Sequence, residues 1–453
     1  MSVKRPVWAL HVLIVGLALH NLVMAELWDA GLRGDGLEVV SAWKEALLAL
    51  ALAAVLWRTR RLPLATTTDW LALAYSAIVV LYALLPQGWL DGDATTKGVL
   101  HALRHDLVPV AAYVFGRMLV LTVRDERRVR LVIAATAAAV AAFGLVEVYA
   151  VPLQWWRDSG APGWFHDQLG LDYEQSLSGL PENFVYNPGG DEPLRRLIST
   201  FLSPLATAYM LAVALLLLTT RERARWVAPA GALVFAGLLW THTRAAILAL
   251  ALGLVVLALG LRRVALVGSA VITVAVGVAF VRVFDDIGPK THFTKSELVV
   301  QHQQARRSPS ASGDALSGAE PSLSGHWRNL KQGVSTVVHH PQGFGLGNAG
   351  VTAFRTGKTP KVGESTYTEL GVEAGVVGAV LFVAWSLALL WVVLGRDPWL
   401  AAAFAAVLAL GLQTDVIGVH WLAYVLWTLV GAAAAPRIGA AAPRRSVSLR
   451  TSP

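Results

Sequence analysis

The stretch VGESTYTELGVEAGVVGAVLFVAW, from Val362 to Trp385, brings the carboxylates of Glu364, Glu369 and Glu373 to the start of an apolar run. A carboxylate can accept the proton of a hydroxyl group, so a residue of this type can act as a general base. Charges at the mouth of a membrane helix are costly to bury, which favours a functional role for Glu364. A carboxylate that starts a helix can also simply complement the helix dipole, and this alternative is stronger for Glu369 and Glu373.

Arginines recur beside the apolar runs of the chain. Guanidinium groups bind diphosphates through paired hydrogen bonds, and several on one face would form a diphosphate site. A single arginine in such a position is more often an interfacial residue whose charged end reaches water. The candidates for a diphosphate site are Arg195, Arg196, Arg244 and Arg328.

Four further residues are secondary candidates for the same site. Lys44, in the segment SAWKEALLAL, either pairs with Glu45 inside the membrane or lines the same cavity. The other secondary candidates are Arg104, His340 and Tyr367.

Two sequence motifs could be considered for a metal site, and both are weak. The pair His339–His340 has no carboxylate at ligand spacing, which makes it a poor metal site. The segment Asp91-Gly92-Asp93 resembles the Asp-x-Asp of metal-dependent sugar transferases, but a polar turn after a span explains it equally well. The chain has no cysteine, which excludes disulfides and thiolate ligands. We therefore predict neither a metal nor another cofactor.

The composition is that of a membrane protein. Of 453 residues, 55% are hydrophobic and 15% are charged, and the mean hydropathy is +0.54. Repeated apolar runs of about 20 residues indicate many membrane-spanning helices. The net charge of +8 would also suit nucleic acid, but most Lys and Arg lie in short loops between apolar runs, where they set topology. We expect an all-α polytopic membrane protein that binds no nucleic acid.

Twelve apolar segments can be placed along the chain as transmembrane helices. The first lacks a small-residue cleavage site and is followed by more spans, so we expect it to be a retained anchor. The segments are 7–26, 39–57, 70–86, 106–123, 131–151, 199–219, 226–241, 244–261, 264–283, 370–395, 398–413 and 418–435.

The distribution of basic residues orients these spans. With a cytoplasmic N-terminus, the basic segments RTRR, RDERRVR, RERAR and PRRSVSLR all lie inside, and so does the C-terminus. The short outer loops then carry only Arg33, Lys97, Arg104 and Arg244.

Two outer segments are too long to be simple connections, which places function on the outer face. The resulting layout is five spans in 1–151, an outer loop in 152–198, four spans in 199–283, a large helical outer loop with the catalytic face in 284–369, three spans in 370–435, and a basic cytoplasmic tail in 436–453.

Taken in order, the segments SAWKE, RLISTF, THTRAA, HHPQGFGLGN and ESTYTELGVEAGVVG resemble the O-antigen ligase and O-antigen polymerase superfamily of bacterial membrane glycosyltransferases. That family carries a motif of His, then Asn, Ser or Gln, nine residues, and Gly-x-x-Gly. Here Ser365 takes the second position and Gly375 and Gly378 close the motif, but Glu364 replaces the histidine.

The resemblance implies a GT-C-like enzyme of the bacterial inner membrane with its site on the outer face. The donor would be a glycan on undecaprenyl diphosphate and the acceptor a sugar hydroxyl on a lipid-linked repeat unit or on lipid A-core. Glu364 would be the base, and the arginines would stabilise the diphosphate without a metal in an inverting reaction. Membrane lipids and a chain-length regulator would be further partners.

The sequence leaves several functions open. Replacement of the motif histidine by Glu364 favours a polymerase over a ligase that moves the finished glycan. The ESTYTELGVEAGVVG pattern argues against a peptidoglycan polymerase of the shape, elongation, division and sporulation class. A transporter or flippase fits twelve spans, but the two halves show no obvious repeat.

Overall fold

A computed structural model describes residues 6–60, 62–171, 177–187, 191–220, 225–307 and 321–435. The predicted basic tail, 436–453, lies outside the described residues. The described part is helical, with one antiparallel pair of two-residue strands, β1 (Val185–Tyr186) and β2 (Leu194–Arg195). The helices are α1 (Val7–Asp29), α2 (Asp35–Ser41), α3 (Trp43–Thr59), α4 (Thr67–Leu84), α5 (Thr96–Met118), α6 (Val123–Ala150), α7 (Leu153–Asp158), α8 (Pro204–Thr219), α9 (Val227–Trp240), α10 (Arg244–Leu261), α11 (Ala265–Ile287), α12 (Lys295–Arg307), α13 (Pro321–His339), α14 (Gly350–Phe354), α15 (Thr366–Leu394), α16 (Pro398–Leu410) and α17 (Trp427–Ala434).

The all-α membrane class predicted from the sequence is confirmed, whereas the number of twelve spans is not. Among the described residues, six helices are long and apolar enough to cross a membrane: α1, α4, α6, α10, α11 and α15. A seventh is obtained if α2 and α3, which meet at a 43° bend, form one span. Helices α8, α9 and α16 and the segment Leu422–Ala434 are apolar but shorter. Each predicted span overlaps a helix, but several of these helices are too short to count as membrane spans by length. The number of twelve spans and a GT-C-like arrangement therefore stay predictions.

The core lies between long helices that pack side by side. Helix α5 packs against α17, α4 against α15, and α10 against both α11 and α16. Buried aromatic rings of Tyr75, Phe382, Trp385 and Trp427 fill the space between α4, α15 and α17. This packing fixes the positions of the helix ends, which carry the polar side chains of the candidate active site.

Residues 343–350 form a glycine-rich turn that fits into a break in α15. Gly343, Gly345, Gly347 and Gly350 all have positive φ, which glycine adopts at little cost. Helix α15 is interrupted at Gly375, where φ is +67°. The turn occupies this break: the amide of Phe344 donates to the carbonyl of Val372 (2.6 Å), and that of Val376 donates to the carbonyl of Pro341 (2.9 Å).

The two long segments that the topology predicts to be outside the membrane pack against each other. Arg157 of the first segment makes a paired contact with Glu297 of α12, at 2.9 and 2.6 Å, and Ser178 donates to the same carboxylate at 2.7 Å. A buried carboxylate with several charged or hydroxyl donors is held firmly. These contacts therefore hold the two segments together.

Candidate active site

A cavity of about 460 Å³ lies where several helix ends meet the two long outer segments. Its walls come from the second half of α1, the start of α3, the first half of α5, the start of α15 and the turn after α16. The predicted topology assigns every one of these ends to the outer face. The volume lies in the range of small-molecule sites. Its charged side chains, apart from histidines, are Lys44, Arg104, Arg355, Glu45, Asp106, Glu364, Glu369, Glu373 and Asp415.

Three cations, Lys44, Arg104 and Arg355, line this cavity, and the first two share the carboxylate of Glu45. The ammonium of Lys44 lies 3.6 Å from one oxygen of Glu45, and the guanidinium of Arg104 lies 3.7 Å from the other. Arg355 follows α14. Burial, together with the nearby charge of Arg104, lowers the pKa of Arg355 to about 10, so it stays protonated at neutral pH. This group carries more positive charge than Glu45 neutralises, as an anion-binding site requires.

Glu364 lines the same cavity and has an unusual backbone. Its φ is +82°, a conformation that costs an L-residue about 1–2 kcal/mol. Its amide donates to Glu369 (2.8 Å), and its carboxylate accepts from His326 Nδ1 (2.5 Å). Burial raises the pKa of Glu364, but the hydrogen bond and charge of His326 outweigh burial and hold that pKa below its usual range. Glu364 is therefore ionised at neutral and mildly acidic pH, as a proton acceptor must be.

Glu373 and Glu369 hold the glycine-rich turn. Glu373 accepts from the amide of Gly347 and from the hydroxyl of Thr352, both at 3.0 Å. A Cβ added at Gly350 would lie 2.2 Å from an oxygen of Glu369, so only glycine fits there. Both carboxylates thus have partners within the fold, since Glu369 accepts the amide of Glu364.

The reading of the sequence missed a half-buried histidine, His105, between two aspartates on the cavity wall. His105 Nδ1 lies 2.8 Å from Asp106, and its Nε2 lies 2.9 Å from Asp415. Because each ring nitrogen faces a carboxylate oxygen, both need a proton, which makes the ring an imidazolium. The signal was present as His-Asp and Gln-Thr-Asp segments beside apolar runs, where charged residues are functional candidates.

Asp415 is fixed by the turn that carries it. The amides of Ile417 and Gly418 donate to its two oxygens at 3.0 and 2.9 Å, and a Cβ at Gly418 would lie 2.3 Å from one of them. Burial raises the pKa of Asp415, but the charge of His105 and these hydrogen bonds outweigh burial and lower it. Asp415 therefore presents an ionised, oriented acceptor to the cavity.

None of the four arginines predicted for a diphosphate site lines the cavity. Arg195 is buried, pairs with Glu147 and donates to the carbonyl of Val151 at 2.8 Å. Arg196 donates to the carbonyl of Thr241 (2.9 Å) and to Thr243 (3.1 Å). These two guanidinium groups therefore bind groups of the protein itself, beside β2 and the neighbouring helices. Arg244 begins α10, and Arg328 is exposed on α13.

The secondary candidates divide in the same way. Lys44 and Arg104 line the cavity, whereas His340 and Tyr367 do not. The ring of His340 stacks on Phe344 with centroids 4.2 Å apart. The hydroxyl of Tyr367 donates to the carbonyl of Leu408 at 2.6 Å, which ties α15 to α16.

Metal ligation finds little support in the described part of the chain, where no three His, Asp or Glu side chains are grouped as metal ligands. The carboxylate of Asp93 lies 3.5 Å from Lys358 and 3.8 Å from Lys361. The metal-independent reaction stays a prediction.

Residues 229–383 match the model of a family described as O-antigen ligase. The matched region is 155 of the 453 residues and contains Arg355, Glu364, Glu369 and Glu373. No curated protein matches the chain. The resemblance found in the sequence is confirmed for this region, and the match supports glycan processing of the O-antigen ligase or polymerase type at a membrane.

Proposed function

Because the chain carries an O-antigen ligase region at residues 229–383, we propose that it transfers a glycan from undecaprenyl diphosphate to a sugar hydroxyl on the outer face of the plasma membrane. The observation that carries this proposal is a single cavity lined by three cations and by the ionised carboxylate of Glu364. Glycosyl transfer from a diphosphate needs positive charge at the leaving group and a base at the acceptor.

The proposed reaction is an inverting displacement. The acceptor oxygen bonds to the anomeric carbon from the face opposite the diphosphate, and the bond from that carbon to the diphosphate oxygen breaks. The hydroxyl proton passes to Glu364. The diphosphate leaves with its electron pair and is stabilised by Lys44, Arg104 and Arg355, which line the same cavity.

This assignment revises the cationic half of the site and keeps its base. Lys44 and Arg104 move from secondary to primary candidates, and Arg355 joins them. Asp415, held by His105 and two backbone amides, offers acceptors that suit the hydroxyl groups of a sugar.

We favour a polymerase that extends a lipid-linked glycan over a ligase, because Glu364 stands where the ligase motif has histidine. The ligase reading is supported by the description of the matched family. Profiling of the glycans in a deletion strain separates the two. Single repeats on the surface indicate a lost polymerase, and full-length chains left on the lipid carrier indicate a lost ligase.

Turnover tests the proposal itself. Purified protein in detergent or nanodiscs, given a lipid-linked glycan, should release undecaprenyl diphosphate and lengthen or transfer the glycan. Movement of the intact lipid-linked glycan across a vesicle membrane, with no diphosphate release, would instead establish the flippase alternative.

A further inference from the structure

The histidine that is absent from the motif has a spatial replacement. His326, which lies 38 residues before Glu364 in the chain, places Nδ1 2.5 Å from Oε2 of Glu364. The two side chains are about one third and two fifths exposed, respectively, so the pair lies at the edge of the cavity and not deep in the core. A short contact between imidazole and carboxylate is a strong, charge-assisted hydrogen bond.

Helix α13 is seated so that this contact is fixed. A Cβ added at Gly333 would lie 2.9 Å from Thr368, and one added at Gly371 would lie 2.7 Å from Val337. His326, Gly333 and Val337 are spaced by seven and four residues and therefore share one face of α13. That face packs along the first turns of α15, directly after Glu364.

We propose that His326 is a positioning residue for Glu364, and that the pair together takes the place of the single motif histidine. This inference rests on the proposed function. Glu364 lines the cavity and is the group that receives the acceptor proton, whereas His326 does not line it and acts through Glu364. His326 donates Nδ1–H to Oε2, which leaves Oε1 to take the proton.

The other charged and titratable groups around Glu364 do not provide the same donor. Glu369 accepts the backbone amide of Glu364 and adds negative charge nearby. Asn329, on the same helix as His326, also lowers the pKa of the Glu364 carboxyl, by less than His326 does. Arg104, Arg355 and Glu373 lie on the cavity walls. His326 is thus the histidine that hydrogen-bonds directly to the carboxylate of Glu364.

The pH dependence of turnover distinguishes positioning from mere packing. Removal of His326 removes a hydrogen bond that stabilises ionised Glu364, so the acid limb of kcat/KM should move to higher pH. We expect His326→Ala to lower kcat/KM at least about tenfold at the acid end of the profile and by less at alkaline pH. His326→Gln keeps an N–H donor and should recover part of that loss. His339→Ala, at the far end of α13, is the matched control and should leave the pH profile unchanged.

A double variant tests whether His326 acts through Glu364. If it does, His326→Gln with Glu364→Gln should be no slower than Glu364→Gln alone, because effects of residues that act as a unit are not additive. Multiplied losses in the double variant, or a His326→Ala rate reduced by one factor at every pH, would overturn the inference. Failure of the proposed function is separate, since the wild-type protein itself would then release no undecaprenyl diphosphate.

Discussion

Helix α5 carries two arginines with opposite surroundings. Arg117, near its C-terminal end, has a side chain only 1% exposed and makes a bidentate pair with Asp69 at 2.8 and 2.7 Å. Its remaining amino group donates to the carbonyl of Ala434 at 3.1 Å. Arg104 lies thirteen residues earlier, about 20 Å along the helix. It lines the cavity and shares Glu45 with Lys44 at distances beyond a hydrogen bond.

We infer from this difference that uncompensated charge, and not the presence of arginine, marks the end of α5 at which the proposed site lies. Asp69 also completes the capping box of α4 with Thr66 and accepts from Tyr113 at 2.6 Å, so its charge and that of Arg117 are compensated within the fold. At the cavity, Lys44 and Arg104 share Glu45 at more than hydrogen-bond distance, while other carboxylates of the wall are held by His105, His326 or the glycine-rich turn. A buried cation that is paired with a carboxylate contributes to structure, whereas cations beside a cavity whose charge is not neutralised can bind an anion.

Among the cavity residues, substitution of Glu364 should cause the largest loss of activity. Glu364→Gln keeps the shape and the hydrogen bond to His326 but removes the base, so turnover should fall about 10²–10⁴-fold. Release of undecaprenyl diphosphate at saturating donor measures this loss, and donor binding should persist because the cations remain. If Glu364→Gln is as fast as wild type while Glu369→Gln or Glu373→Gln is inactive, the base lies on another carboxylate.

The two arginines of α5 should respond in opposite ways to the same substitution. Arg117→Met leaves Asp69 buried without its partner and should destabilise the protein by about 3–5 kcal/mol. Arg104→Met removes a partly exposed, long contact and should cost no more than about 1 kcal/mol. Thermal unfolding in detergent measures both. The folded fraction of Arg117→Met should keep its turnover, and Arg104→Met should not. Equal unfolding shifts for the two would remove the distinction.

Arg355 sharpens the contrast between the cavity and the arginines inferred from sequence. Arg355→Lys keeps the charge but loses the two-pronged donor, so turnover should fall at least about tenfold, roughly 1.4 kcal/mol. Arg244→Lys, outside the cavity lining, should stay near the wild-type rate. The reverse pattern would restore Arg244 to the diphosphate site and exclude Arg355.

The membrane class and the helix positions could be predicted from the sequence, because apolar periodicity is a local property. Two of the three cavity cations were candidates from the sequence. Lys44 and Arg104 stood out as charges beside apolar runs, but nothing local distinguished Arg355 from Arg195 or Arg196.

Pairing across the fold decides such cases. Arg195 is neutralised by Glu147, 48 residues away, and His105 is held by Asp415, 310 residues away. These partners meet only when α5, α6 and the later turns are packed. A single sequence shows which side chains are charged, and the fold determines which charges are already compensated.

The smallest expected effect is that of chelation. Because we assign stabilisation of the leaving diphosphate to Lys44, Arg104 and Arg355, turnover should be unchanged by EDTA within the error of the assay. The measurement is diphosphate release before and after dialysis against the chelator, with a magnesium add-back. A loss of activity that magnesium or manganese restores would place a metal beside the diphosphate and bring Asp91 and Asp93 forward as ligands. It would also show that the unmatched cations of the cavity are insufficient by themselves, and the contrast between the two ends of α5 would then no longer identify the catalytic charge.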